Sequence, residues 1–235
     1  HGPILAAAIL VREAGQLKEA NELLQLAIDL APQKALDLRF SWAQGLFLGD
    51  HHAEAIEMYR QLLANKPRKN VATQVQYFLS SALALAGETD AALAAIRVVL
   101  AENPDNPRYE IRVAWILFHA ERLDAAQAEY EQLLKKHGDK QTAEVRQILR
   151  SARMALSNIA LEQNKFPQAV EWLEQVLDEY PEDAGALNDL GYLWAERGLH
   201  LQRALRMTQP AVELEPTNHA YRDSLGWAYF QLGRY

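Results

Sequence analysis

The sequence writes one eleven-residue phrase twice. NDLGYLWAERG at 188–198 returns 35 positions later as DSLGWAYFQLG at 223–233. Asn188 falls on Asp223, Leu190 on Leu225, Gly191 on Gly226, Trp194 on Tyr229 and Gly198 on Gly233. The same spacing runs through the chain. Pro32, Pro67, Pro104, Pro181 and Pro216 are separated by 35, 37, 77 and 35 residues, and Gly138 divides the long interval into 34 and 43. A period of this length belongs to stacked helix pairs, each too small to bury its own apolar face. That periodicity constrains the architecture more than any other property of the chain.

Twelve residues before each punctuation mark stands an alanine: Ala20, Ala55, Ala92, Ala126, Ala169 and Ala204. Four positions on comes Leu24, Tyr59, Ile96, Tyr130, Leu173 or Thr208, the last being the polar exception. Three further on comes Ala27, Leu62, Val99, Leu133, Val176 or Ala211. Steps of four and three put these residues on one stripe of a helix. An upstream helix carries a large-small pair: Trp42-Ala43, Leu79-Ser80, Val113-Ala114, Leu156-Ser157, Leu190-Gly191 and Leu225-Gly226, with Ala7-Ala8 in its place in the first unit. Close packing of two helices needs a small residue where the partner's ridge crosses. Gly15, Gly87, Gly198 and Gly233 stand where the upstream helix must stop, as a left-handed C-terminal cap requires.

Composition fits a folded helical chain, with 49% apolar and 23% charged residues. A net charge of −7 argues against nucleic acid as the partner, because phosphate contact needs a basic footprint. KPRK at 66–69 is too short to reverse this. With no cysteine, disulfides and thiolate metal sites are excluded, and cytoplasm and periplasm both stay open. The longest strongly apolar run, ILAAAILV at 4–11, falls far short of the roughly 20 residues of a membrane span. A start at His1 rather than Met leaves room for a removed leader or an upstream domain.

LGYLW, LGWAY, AIEMYRQL and AQAEYEQL resemble the tetratricopeptide repeat, which pairs a Leu-Gly-x-x-Tyr first helix with an Ala-x-x-x-Phe-x-x-Ala second helix and a closing proline. The resemblance covers essentially the whole chain. It implies an all-α fold, a right-handed α-solenoid of about six and a half repeats at 1–34, 35–69, 70–106, 107–140, 141–183, 184–218 and a partial 219–235. The extra residues around DKQTAEVRQILRS (139–151) are helix-compatible and predict a long first helix in the fifth unit. LGWAYFQLGRY stops where a second helix should begin, so the chain reads as a fragment of a longer array, its open ends able to pair with another copy. The two C-terminal phrases are also similar to repeats of bacterial members of the family.

The resemblance further implies a concave face lined by first helices that receives a peptide. On the repeat register this face comprises Phe40, Gln44 and Phe47; Tyr77, Ser81 and Ala84; Ile111, Arg112, Trp115, Phe118 and His119; Met154, Asn158, Leu161 and Glu162; Asn188, Tyr192 and Glu196; and Asp223, Trp227 and Phe230. Rings supply contact area and amides pair with an extended backbone. A stripe of rings at helical spacing also suits core, so each aromatic has both readings. Some members clamp a C-terminal carboxylate with Lys, Asn and Arg. Arg108 and Arg112 match the last pair, but Phe40, Gln44 and Phe78 stand where Lys and Asn are required, which argues against that clamp.

No nucleophile elbow, phosphate-cradling glycine loop, zinc-protease helix or dinucleotide fingerprint occurs. His51 and His52 lack further metal ligands nearby, and PED at 181–183 reads as a turn and helix start. A pH-responsive pair of His119 and Glu162 is conceivable, but an ordinary solvated histidine is the plainer reading. The expectation is a non-catalytic protein-binding scaffold or adaptor with no cofactor and no metal. The alternatives are a regulatory or targeting part of a larger enzyme and a self-associating solenoid.

Overall fold

The computed structural model describes residues 2–140 and 142–233. Among them stand thirteen α-helices and no strand. The chain divides into two compact units, His1–Arg122 and Leu123–Tyr235. The first holds α1 (Gly2–Glu13), α2 (Leu17–Asp29), α3 (Ala35–Leu48), α4 (His52–Ala64), α5 (Lys69–Leu85), α6 (Thr89–Glu102) and α7 (Pro107–His119), with a 3-10 turn at Pro32–Lys34. The second holds α8 (Leu123–His137), α9 (Ala143–Glu162), α10 (Phe166–Glu179), α11 (Ala184–Glu196), α12 (Leu201–Leu214) and α13 (His219–Gln231).

Within each unit consecutive helices pack as antiparallel hairpins, and alternate helices such as α5 and α7, or α11 and α13, lie side by side. The alanine stripe is the core of this arrangement. Every stripe residue from Ala20, Leu24 and Ala27 to Ala204, Thr208 and Ala211 is at most 3% exposed. Each Leu or Ile buried this way contributes about 2 kcal/mol. Thr208 keeps its place in the stripe by donating its hydroxyl back to the Ala204 carbonyl at 3.1 Å. Ser157, a small member of the large-small pairs, donates across the hairpin to the Ala169 carbonyl at 3.0 Å.

The turns that end the first helices are uniform. Gly15, Asp50, Gly87, Glu121, Asn164, Gly198 and Gly233 all have φ between 56° and 81°. In six of these turns two hydrogen bonds close the helix end. In the first, for example, Gly15 N–H donates to the Arg12 carbonyl at 2.8 Å and Gln16 N–H to the Val11 carbonyl at 3.1 Å. This is the Schellman closure, which needs a left-handed residue after the helix. The four glycines were legible as stops. Asp50, Glu121 and Asn164 hold the same conformation against a steric cost of about 1–2 kcal/mol for an ordinary residue, smaller for Asn and Asp.

Helix α9 is the longest, at 20 residues, and begins where Thr142 accepts a hydrogen bond from Val145 N–H at 3.4 Å. Its extra turns carry Arg146, Arg150 and Arg153 at i, i+4 and i+7, on one face. Arg146 and Arg153 donate to Glu179 at the end of α10, at 2.8 and 3.2 Å. Arg150 forks onto Asp183, one N–H reaching Oδ1 at 2.8 Å and the Nε–H reaching Oδ2. The added length thus ties the first turns of α9 to the end of α10 and to the cap of α11.

The expectation that large-small pairs face inward holds for Trp42-Ala43, Leu79-Ser80, Leu156-Ser157 and Leu190-Gly191, which are all buried. It fails at Leu225-Gly226, where Leu225 is half-buried and Gly226 exposed. A methyl group on Gly226 would meet nothing within 4 Å.

Candidate functional site

In the first unit the expected groove residues mostly bind one another. Phe40 on α3 is half-buried, its ring 6.3 Å from the buried Tyr59 of α4 and 5.7 Å from Phe78 of α5. Tyr59 and Phe78 stack at 6.4 Å, and burial pushes the Tyr59 phenol far above its ordinary pKa. Arg112 on α7 donates to the Tyr77 hydroxyl at 2.5 Å and lies over two rings, 4.5 Å from Tyr77 and 4.7 Å from Trp115. Arg108 approaches the Tyr77 ring as well, at 5.4 Å. Trp115 and His119 are in contact at 3.9 Å, and a ring nitrogen of His119 meets the Trp115 carbonyl at 2.9 Å.

Gln44, Phe47 and Phe118 are half-buried, and Phe47 packs on His52 at 5.7 Å. Ser81 lies inside, 2% exposed, its hydroxyl directed to the Tyr77 carbonyl at 3.3 Å. Ala84 is buried too, so α5 offers a peptide little beyond the Tyr77 ring. No group of three or more metal-ligating side chains gathers around His51 and His52, or elsewhere among the described residues.

The second unit differs. Asn188, Tyr192, Asp223 and Trp227 come together around a groove of about 460 Å³ between α11 and α13, completed by Ala220 and Ser224. The two helices present matching positions: Asn188 and Asp223 are equivalent in the repeat, as are Tyr192 and Trp227, and Asn188 and Tyr192 on α11, like Asp223 and Trp227 on α13, are one turn apart. Tyr192 is 39% exposed and Trp227 38%, an unusual outlay of aromatic surface. Trp227 and Phe230 stack in parallel, 5.2 Å apart with 16° between their planes. The Tyr192 hydroxyl donates to Glu196 at 3.3 Å.

Asn188 is buried, at 8% exposure, beside these rings. Its amide N–H donates to Asp189 at 3.1 Å, which fixes the amide's orientation, and its Oδ1 accepts no hydrogen bond from the described residues. Burial pushes the Asp189 carboxyl above its ordinary value, against the opposing effect of the Asn188 amide. Asp183 lies nearby and behaves in the opposite sense. Burial works to raise its pKa, but Arg150 and the Ala186 N–H bind the carboxylate and hold it below the ordinary value. Asn158 and Glu162 on α9 are exposed, whereas Met154 and Leu161 pack onto the core beneath. Asp189, Ala220 and Ser224 were not foreseen. Their signal was available, since Ser224 stands at the turn between Ala220 and Trp227 on the face that Asp223 and Trp227 define.

No described helix is long and apolar enough to cross a membrane. Two family models, both described as tetratricopeptide repeat, match the chain, one over residues 83–152 and the other over 42–107 and 154–201. A TPR repeat-containing protein of Pseudomonas aeruginosa is 30% identical over 149 residues, 63% of this chain. The chain spans about a quarter of the length of that curated relative, 24%. Among solved structures, a tetratricopeptide repeat protein from Parabacteroides merdae aligns over 97% of this chain and 98% of its own, with TM-score 0.57 and 14% identity. MamA from Desulfovibrio magneticus aligns over 69% and 86%, with TM-score 0.55 and 18% identity. A chain of the Cut9-Hcn1 hetero-tetramer aligns over 96% and 42%, with TM-score 0.60 and 16% identity. Repeat register, helix pairing and these matches agree: the chain belongs to the tetratricopeptide repeat family, whose members serve in general as protein-interaction scaffolds.

Proposed function

We propose that the chain is a non-catalytic adaptor that holds a segment of a partner protein against its first helices, with the α11–α13 groove as the principal seat. The observation that carries this reading is the groove of about 460 Å³ with two exposed rings and an unpaired buried amide oxygen. A rigid helix-built wall leaves the ordering cost mainly to the ligand, which is how such a surface binds an extended segment. The first-unit residues Phe40, Tyr77, Arg112 and Trp115 spend their contacts on one another and serve mainly to stiffen that unit.

Affinity capture from a bacterial lysate, quantified by mass spectrometry, compares the wild-type chain with a Tyr192→Ala/Trp227→Ala variant and with Trp115→Ala. A protein retained by wild type and by Trp115→Ala, but lost from the folded double variant, supports the assignment. An unchanged set of captured proteins defeats it. A second reading, that the chain is the regulatory or targeting part of a larger protein, is favoured by its spanning 24% of the Pseudomonas relative. Assaying the longer protein with and without this region separates the two.

A further inference from the structure

The α11–α13 groove combines ring faces with one carboxylate, and the Tyr192 and Ser224 hydroxyls in it already donate to Glu196 and the Ala220 carbonyl. None of its six lining residues is basic. Asp223 presents an exposed carboxylate, Glu196 stands beside Tyr192, and Asn188 Oδ1 in the floor accepts no bond. Two described cations near it are engaged elsewhere. Arg222, next to Asp223 in sequence, donates to the Pro216 carbonyl, and Arg150 is held in a fork by Asp183. The groove therefore favours a ligand rich in donors and positive charge, and disfavours a carboxylate.

Helix geometry sharpens this. Asp223 and Trp227 are four residues apart, so the carboxylate stands one turn from the indole on the same face. Trp227 is backed by Phe230 in a parallel stack, which makes a flat two-ring shelf. A flat cation that lies on an aromatic face while directing N–H groups sideways to a carboxylate is a guanidinium. An ammonium is a compact, strongly hydrated charge and gains less from a shelf of this shape.

We infer that the partner segment presents an arginine to this groove, its guanidinium stacked on Trp227 and paired with the Asp223 carboxylate. This inference rests on the groove reading given above and specifies the ligand's chemistry. Charge complementarity selects arginine over a neutral or acidic segment, because the one charged group in the lining is the Asp223 carboxylate and the buried Asn188 Oδ1 accepts no bond.

The test uses the ¹⁵N-labelled chain and the peptide acetyl-Gly-Ser-Gly-Arg-Gly-Ser-Gly-amide, alongside versions with citrulline, lysine or glutamate at the centre. The readout is the indole N–H signal of Trp227, assigned by its disappearance in Trp227→Phe. The arginine peptide is expected to move this signal with an affinity at least ~10-fold above that of citrulline, which keeps the shape and loses the charge. Asp223→Asn is expected to abolish that preference with an unchanged melting temperature, and Asp223→Glu to restore part of it. Equal shifts by arginine and citrulline, or a stronger shift by glutamate, overturn the inference while leaving the groove as a binding surface. No shift by any peptide overturns it as well. The groove reading is then judged separately by the capture experiment, which does not depend on the charge of the ligand.

Discussion

Helices α11 and α13 carry the same eleven-residue phrase and put it to different uses. In α11 the phrase is core. Leu190 is 0% exposed and Gly191 is the point where α12 crosses, so close that a methyl group there would stand 2.7 Å from the Thr208 methyl and 3.0 Å from the Ala204 carbonyl. In α13, Leu225 is half-buried and Gly226 faces open space. The caps differ as well. Asp183 accepts a hydrogen bond from Ala186 N–H at 2.9 Å and pairs with Arg150, whereas Asn218, 35 residues on, makes no side-chain bond to its helix. What the two copies share is the groove face between them. A repeat motif therefore specifies a position in a lattice of helices, and the neighbours present decide whether that position is packed or open.

Substitutions at matched positions test this contrast. The largest difference is expected from the leucines. Leu190→Ala should destabilise the second unit by about 3–4 kcal/mol, and Leu225→Ala by no more than about 1 kcal/mol, as read from denaturant midpoints. Asp183→Ala removes a cap and a partly buried ion pair, for an expected loss of about 2–3 kcal/mol, against a few tenths for Asn218→Ala. Because Asp183 has its carboxyl pKa depressed in the folded chain, its contribution is present above the ordinary aspartate pKa and disappears as pH falls through the lower folded value. Melting temperatures taken between pH 6 and pH 2 should fall less steeply for Asp183→Asn than for wild type.

The glycines come next. Gly191→Ala should cost about 2 kcal/mol, because backbone and a buried Thr must shift. Gly226→Ala should stabilise by about 0.5–1 kcal/mol, since glycine in an open helix interior loses more chain entropy than alanine. A matching loss at both glycines in thermal melts would break the comparison. Smallest is the loss of a shared-face hydroxyl: Tyr192→Phe gives up only the exposed bond to Glu196 and should move stability by under about 0.5 kcal/mol.

The parts of this molecule legible in sequence are those fixed by local spacing. The alanine stripe at steps of four and three became core without exception, and PED at 181–183 became the cap of α11. Distant partners were less legible. Arg150 meets Asp183 across 33 residues because α9 is long enough to reach, and spacing alone does not name that pair. The candidate groove residues shared one register but met different fates. Ser81 turned inward because a small hydroxyl can satisfy itself on the preceding turn, at the Tyr77 carbonyl. Tyr77 and Trp115 found Arg112 between them, a match made by the particular side chains facing each other. Among the described residues, Tyr192 and Trp227 met no such partner.

The seven left-handed turns have a consequence for how such a chain changes length. Six of them lead from a first helix to a second, and Gly233 ends α13, all through the same backbone conformation, with φ between 56° and 81°, whether the residue is glycine, aspartate, glutamate or asparagine. Joining the chain from one of these residues to another brings together ends that already share a shape and a hydrogen-bond pattern. These turns are thus natural splice points. Gene rearrangements that cut there can add or remove a whole helix pair without inventing a new turn, leaving selection to work on the faces alone.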